Sequence, residues 1–376
     1  PATISAQFSF TNRSNWLFYP AIKSGAPIAI SDMNGDGLDD IVRIDGTQNL
    51  RIEYQTPGDN DFSGYAYGQL LGSQWSICIA DVDNNGFNDI FTGGGYNGLK
   101  LLKANSTGTA YNLTTWSIPP IFLQCSNFAD INNDGDIDIF ACHDDGVSQA
   151  YRNTGTGNFV LDTSLIYPVS TIPSDNSGNY GSVWIDYDND GDLDLYISKC
   201  RQGVNNPLER RRLNLLFQND GADNFTDVAE QVGLRPLAQS WAADFADIDN
   251  DGDLDCFVIT HDSPNKLYIN NGFGLFSEIT PQSGLLTAMN AAGPGLQAKF
   301  EDFDNAGFVD LLYTTLGNNH CLFKNNGNNT FTNFANAFPT PNRIHSASTG
   351  DLNNDGFIDV VASFGSGYNT PGAVSD

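Results

Sequence analysis

Asp186, Asp188, Asp190, Asp192 and Asp194 place five carboxylates within nine residues, between the apolar runs SVWI and LYIS. Like charges this close repel strongly away from bulk water, so the phrase DYDNDGDLD asks for a counter-charge. Side-chain oxygens fall at its positions 1, 3, 5 and 9, with Gly at 6. That is the front of an EF-hand loop, whose ligands stand at 1, 3, 5 and, through a main-chain carbonyl, 7, around a sharp Gly turn. The last carboxylate comes at 9 rather than as a Glu at 12, so the loop closes on itself and re-enters a strand. Hard oxygen donors in a flexible ring suit Ca²⁺, whereas Mg²⁺ keeps its waters and Zn²⁺ prefers nitrogen and sulfur. Turn preference alone would explain one such run of Asp, Asn and Gly. It does not explain seven in register.

The phrase begins at Asp32, Asp81, Asp130, Asp186, Asp247, Asp302 and Asp351, at spacings of 49, 49, 56, 61, 55 and 49 residues. The candidate ligands are Asp32, Asn34, Asp36, the Leu38 carbonyl and Asp40 in loop 1, and Asp81, Asp83, Asn85, Phe87 and Asp89 in loop 2. Loop 3 offers Asp130, Asn132, Asp134, Asp136 and Asp138, and loop 4 offers Asp186, Asp188, Asp190, Asp192 and Asp194. Loop 5 has Asp247, Asp249, Asp251, Asp253 and Asp255, and loop 7 has Asp351, Asn353, Asp355, Phe357 and Asp359. Loop 6 has Asp302, Asp304, Phe308 and Asp310, but Ala306 at position 5 offers no oxygen, so this site is expected to be weak or empty. Loops 4 and 5 carry all four carboxylates and are expected to bind most tightly. About six or seven Ca²⁺ are expected, and seven would halve the formal net charge of −28.

A second phrase recurs between the acidic turns: LFQNDGADNF from Leu216, LYINNGFGLF from Leu267, LFKNNGNNTF from Leu322 and a looser YRNTGTGNF from Tyr151. Asn-Gly or Asp-Gly between apolar runs is a strong hairpin signal. Each unit therefore reads as strand A, acidic turn, strand B, variable loop, strand C, Asn-Gly turn and strand D. Four antiparallel strands repeated seven times at a period near fifty describe an all-β, seven-bladed propeller, a single domain over residues 1–376. Helical periodicity is confined to a turn or two near Asp227–Val232. The last unit ends without an Asn-Gly phrase, so Ile4–Phe10 is expected to complete it as the outer strand; a full third strand is not evident unless PGAVSD supplies a short one. An open edge there would accept a strand from a neighbour, which makes a surface layer or fibre one alternative role.

The 376 residues carry 17 Lys plus Arg against 45 Asp plus Glu, a balance that argues against nucleic acid and anionic membrane surfaces as partners. With 40% hydrophobic and 12% aromatic residues the chain can pack a core. No apolar run approaches the ~18 residues of a membrane helix, and a chain opening at Pro1 without Met is expected to be a processed or trimmed product. Six scattered cysteines are too few for a disulfide scaffold. Cys125 and Cys142 flank the turn at Asp134 symmetrically, which allows a cross-strand disulfide as well as buried thiols.

The phrases SVWIDYDNDGDLDLYISK and SWAADFADIDNDGDLDCFVIT resemble the FG-GAP/VCBS repeats of the integrin α-subunit propeller and of cartilage acidic protein-like secreted proteins. The likeness runs from about Ala26 to Phe364, with Gly25-Ala26-Pro27 echoing the GAP element and Phe364-Gly365 the FG element. It implies a secreted propeller whose Ca²⁺ loops stiffen the blades and whose opposite face binds a ligand.

On that opposite face the longest insertion, KCRQGVNNPLERRRLN, holds Lys199, Arg201, Arg210, Arg211 and Arg212. They form either a clamp for carboxylate, sulfate or phosphate or local charge balance. Six residues before each acidic turn, near the channel, stand Ala26, Trp75, Gln124, Tyr180, Trp241, Leu296 and His345. The aromatic ones can stack on sugars or pack between blades. No nucleophile elbow, zinc motif or nucleotide loop accompanies His143, His261, His320 and His345. The expectation is an extracellular recognition or adhesion propeller for a glycan or protein ligand, not an enzyme. A polysaccharide lyase using Arg, Tyr or His is the catalytic alternative.

Overall fold

Every acidic phrase turns the chain between two antiparallel strands, and every second strand starts on the Asp at position 9. The computed structural model describes residues 10–20, 24–58, 61–116, 119–166, 168, 170–334, 337–338 and 343–364. Within them lie six four-stranded sheets in the order A-B-C-D and a seventh sheet of two strands. The A strands are Ser24–Ser31, Ser76–Ala80, Leu123–Ala129, Asn179–Ile185, Ser240–Ala246, Gly295–Glu301 and Ile344–Gly350. Each A strand lies beside the A strands of the blades before and after it, and the seventh lies beside the first, so the ring closes. The expected β-propeller is the architecture found.

Packing follows from the sequence. The B strands Asp40–Asp45, Asp89–Gly93, Asp194–Lys199, Asp255–Thr260 and Asp310–Thr315 are buried at every residue, because neighbouring blades cover both faces. That is why they read as mostly apolar runs rather than alternating ones, with Arg43 and Lys199 as buried exceptions. The D strands Phe225–Asp227, Phe276–Glu278 and Phe331–Asn333 are three residues long and largely open to solvent, a short edge that resists pairing with other chains. Among the described residues seven apolar clusters fill the seven junctions, among them Phe257, Leu311 and Phe323 between blades 5 and 6. Ile28, Ile41, Phe62, Leu352 and Val361 join blade 7 to blade 1.

The A strands contain a feature that alternation does not reveal. In blades 4 to 7 the pairing slips by one residue near the strand start: Asn179 faces Lys199 but Gly181 faces Ser198. The same slip skips Trp241, Leu296 and His345. Tyr180, Trp241, Leu296 and His345 are therefore bulge residues, and a bulge re-aims its side chain. In blade 3 the slip sets Gln124 and Cys125 against Cys142. Cys125 and Cys142 are not squarely opposed, and all six cysteines are free thiols.

Two further differences concern local structure. The segment after Asp227 is only a turn, closed by the Val232 N–H donating to the Val228 carbonyl at 3.1 Å, while the one α-helix among the described residues is Leu286–Ala292. The expected outer strand Ile4–Phe10 and the PGAVSD strand lie outside the described residues, except for Phe10. Its N–H donates to the Ala337 carbonyl at 3.1 Å and its ring stacks on Phe338.

In three of the four hairpin phrases the first Asn holds neighbouring blades together; in blade 4 Asn219 instead bonds within its own blade. Asn325 donates through Nδ2 to the Ile248 carbonyl of blade 5 at 2.7 Å and to the Val309 carbonyl at 3.1 Å, and its Oδ1 accepts from Gly327 N–H at 2.9 Å. Asn153 and Asn270 repeat the cross-blade bond to Val82 and Tyr187. Asn325→Ala strands these buried groups and is expected to cost about 1–3 kcal/mol, measured as a fall in unfolding free energy in urea titration.

Candidate metal centres and the loop face

The loops owe their shape to two left-handed residues. Position 4 has φ of 53° to 60° at Asn84, Asn133, Asn189, Asn250, Asn305 and Asn354 and 75° at Gly35. Position 6 is Gly in all seven loops, for instance Gly191 at φ 92°. Only Gly and Asn adopt this region readily. The turn directs amides inward onto the first carboxylate: Asp190 N–H reaches Asp186 Oδ1 at 3.0 Å and Gly191 N–H reaches Oδ2 at 2.9 Å. The position-5 side chain caps the amide of position 7, as Asp190 Oδ1 does for Asp192 at 3.0 Å. Position-7 side chains lie over the C–D hairpin glycine: a Cβ on Gly221 would meet Asp192 Oδ2 at 2.6 Å, and one on Gly327 would meet the Phe308 ring at 2.9 Å. The acidic and Asn-Gly turns thus share one face, as the connectivity requires.

Position 9 is the buried member. Asp194 is wholly buried, its Oδ2 accepting from Tyr187 N–H in its own loop at 3.2 Å and its Oδ1 from Asn219 N–H in strand C at 2.8 Å. Asp40, Asp89 and Asp255 repeat both bonds. Asp310 does so too. Burial pushes the carboxyls of Asp40, Asp89, Asp194, Asp255 and Asp310 up to about 7, against the pull of these amides, and neighbouring loop carboxylates add to the rise. Asp359 is raised to about 6 for the same reasons. In Asp138 the Arg152 guanidinium at 2.9 Å opposes the rise.

Position 3 tests whether a cation fits. Asp83, Asp188 and Asp249 each keep a buried Oδ1 that accepts no hydrogen bond. Their Oδ2 atoms are engaged: by Lys103 at 3.1 Å, by Gln218 at 2.7 Å and by Asn329 at 3.1 Å. An unbonded carboxylate oxygen buried among other carboxylates is costly without a cation. In these loops three carboxylate oxygens lie within 4.8 Å of one another: Asp81, Asp83 and Asp89; Asp186, Asp188 and Asp194; Asp247, Asp249 and Asp251. Loops 2, 4 and 5 therefore fit a metal ion, loop 2 joining the two that the carboxylate count favours. In loops 1, 3 and 7 the position-3 Asn bonds within the loop, through Asn34 and Asn132 to the Asp36 and Asp134 carboxylates and Asn353 to the Asp355 amide. Loop 6 also brings Asp302, Asp304 and Asp310 together, but there Asp304 pairs with Lys324.

Adjacent loops are linked, a feature the ligand spacing does not predict. The position-4 side chains Asn133, Asn189, Asn250 and Asn305 donate to the position-6 carbonyls Gly191, Gly252, Gly307 and Gly356 of the next loop. Asn133 and Asn189 also reach the position-7 carboxylates Asp192 and Asp253. Asn88 binds the Asp32 carbonyl at 2.7 Å, and Asp351 N–H donates to Asp39 at 2.8 Å, linking loops 2, 1 and 7. The Asn at position 4 in six of the seven phrases was the legible signal.

On the opposite face the aromatic residues form two groups. Trp75 packs edge-on against Phe122 at 4.9 Å, which also meets Tyr96 at 5.4 Å, beside His143. Tyr180 stacks against Trp241 at 6.3 Å, and Trp241 meets His261 at 4.5 Å. His345 is part-buried on the seventh A strand, its burial lowering its pKa. The arginines do not converge. Arg201 turns to Asp145 at 2.9 Å and Asp144 at 3.3 Å, Arg211 to Glu209, and buried Arg212 to Asp262 at 2.7 Å. Arg210 and Arg211 lie in the short 3₁₀ turn Arg210–Arg212. Lys199 is wholly buried, its Nζ on the Asp175 carbonyl at 3.3 Å, and burial lowers its pKa to about 8. Tyr96, absent from the expected site residues, is 52% exposed and donates its hydroxyl to Asp145 at 2.6 Å.

The comparisons agree with this geometry. The chain is 25% identical to cartilage acidic protein 1 of Xenopus tropicalis over 313 residues, 76% of this chain and 47% of that protein. It is 28% identical to cartilage acidic protein 1 of Mus musculus over 185 residues, 46% of this chain and 26% of that protein. The chain thus spans half or less of the curated relatives it matches. Among solved structures, an Agrocybe aegerita lectin recognising non-reducing terminal N-acetylglucosamine superposes with a TM-score of 0.57 at 16% identity, over 91% of this chain and 86% of the lectin. BBS1N, solved in complex with ARL6DN, gives 0.52 at 12% identity over 92% and 90%. Among the described residues no helix is long and apolar enough to cross a membrane. The FG-GAP-like repeat model matches residues 32–92, 81–140, 130–197, 208–258, 247–298 and 302–362, and the chain belongs to that family.

Proposed function

We propose that this chain is a secreted, calcium-stabilised propeller that recognises a glycan or protein ligand on the face opposite its acidic loops, without catalysing a reaction. The observation that carries the reading is the pairing of a charge-locked face with an aromatic one. Calcium, when bound, supplies the positive charge that the unbonded oxygens of Asp83, Asp188 and Asp249 call for. The opposite face presents Trp75, Tyr96 and Phe122 next to Asp144, Asp145 and Arg201, rings for apolar C–H surfaces beside polar groups that can orient hydroxyls. Aromatic anchors backed by a rigid scaffold are what recognition needs.

The buried carboxyls fix the sign of a pH test. Their metal-free folded values near 7 stand above the ordinary 3.8, so protons stabilise the metal-free fold at low pH and this contribution is lost as pH rises through 7. The difference in melting midpoint between calcium-loaded and EDTA-treated protein is expected to widen from pH 5 to pH 8. A difference independent of pH would mean that these carboxyls do not face the ion. Asp188→Asn removes a carboxylate from loop 4 and is expected to weaken one calcium site by about tenfold, roughly 1.4 kcal/mol, read by isothermal titration.

A glycan array in calcium is expected to yield a ligand whose affinity falls about tenfold or more in Tyr96→Ala, without a large change in melting midpoint. Unsaturated products released from uronate polysaccharides would establish the lyase alternative instead. Concentration-dependent polymers in sedimentation would favour a layer or fibre.

A further inference from the structure

Loop 6 differs from the other loops in the way its charge is met. Ala306 stands where they have Asp or Asn, and its N–H donates to Asp302 Oδ1 at 2.9 Å and to Asp304 Oδ1 at 3.1 Å. Asp304 Oδ2 is paired with the ammonium of Lys324, from strand C, Cys321–Asn325. Both oxygens of Asp304 are thus engaged, although its side chain is only 5% exposed. The equivalents Asp83, Asp188 and Asp249 each leave one buried oxygen unbonded.

The neighbouring blades isolate the cause. Lys324 precedes Asn325, whose N–H donates to the position-9 carboxylate Asp310. At the same place in blade 4 stands Gln218, ahead of Asn219, and in blade 2 Lys103, ahead of Ala104. Gln218 is neutral and satisfies only one oxygen of Asp188. Lys103 reaches Asp83 at 3.1 Å but also donates to the Thr156 carbonyl of blade 3 at 3.2 Å, and the second Asp83 oxygen stays unbonded beside an intact Asn85. A strand-C lysine alone does not complete a loop. Lysine together with the missing position-5 oxygen does, because the loop loses a ligand and gains a fixed positive charge in one step.

We propose that Lys324 serves loop 6 as a tethered cation in place of a divalent ion, so that blade 6 holds its A–B turn without metal. An ammonium is a compact point charge on a flexible stem, suited to such a position. The inference rests on the reading that the other loops take calcium.

Hydrogen exchange of the whole chain tests it, comparing calcium chloride with EDTA. Residues 302–310 are expected to keep equal protection in both, while 186–194 and 247–255 lose about tenfold or more in EDTA. Lys324→Gln combined with Ala306→Asp is expected to bind one calcium more per chain than the parent and to make 302–310 calcium-dependent. Lys324→Met is expected to melt a few degrees below the parent in EDTA, where no metal contributes. Loss of protection at 302–310 in the parent on EDTA treatment would overturn the proposal, as would an unchanged midpoint for Lys324→Met. Were 186–194 and 247–255 indifferent to EDTA, the calcium reading of those loops would fall, and the metal-free Lys324→Met comparison would still decide the role of the lysine.

Discussion

In five of the six complete blades one carboxylate, at the first residue of strand B, accepts an amide from its own acidic loop and an amide from strand C; in blade 3 the Arg152 guanidinium takes the place of the loop amide on Asp138. Asp194, held by Tyr187 and Asn219, is the pattern. Two acceptor oxygens are required, because an amide in its place would turn an N–H₂ toward one of the amides. The group has no access to water, so its charge must be met inside the loop. The acidity of the turn, its left-handed Asn and Gly, and the start of strand B all follow from that requirement. These short crossings fix the register of strand B against strand C, and with it which apolar side chains meet in each cluster.

How much of this was legible depends on range. The seven phrases specify strand, turn and strand, because each rests on contacts within about ten residues, and their repetition at a fixed period specifies the ring. The position-9 carboxylate was visible as a ligand but not as a brace, because its second partner lies in strand C, twenty-five residues away in blade 4. Lys324 was invisible for the same reason: nothing local to it marks Asp304 as its partner. The helix Leu286–Ala292 escaped notice because seven residues carry too little periodicity. The bulges at Tyr180, Trp241, Leu296 and His345 leave alternation almost intact, and only pairing with strand B exposes them.

The two faces divide the labour between them. Acidic loops and hairpin turns pack on one side, bonded to each other. The opposite side carries the long insertions, and there Arg201 and Arg212 neutralise carboxylates of neighbouring blades and Arg211 one of its own loop, rather than gathering in one place. Arg201 spans from blade 4 to Asp144 and Asp145 of blade 3, and Arg212 reaches Asp262 of blade 5. These ion pairs link loops that have no strand pairing between them.

The bonds from one acidic loop to the next act as a hoop. From blade 3 round through blade 7 to blades 1 and 2, each loop is fastened to its successor by a short side chain. A ring bound this way at one rim is stiff there and compliant at the other. Blades can splay slightly about the hooped end, as staves do, while their inner strands stay in contact. Small relative tilts are then greatest at the far rim, where Tyr96, Trp75 and Trp241 stand, and a rigid body gains a mouth that can adjust its width without any strand changing register.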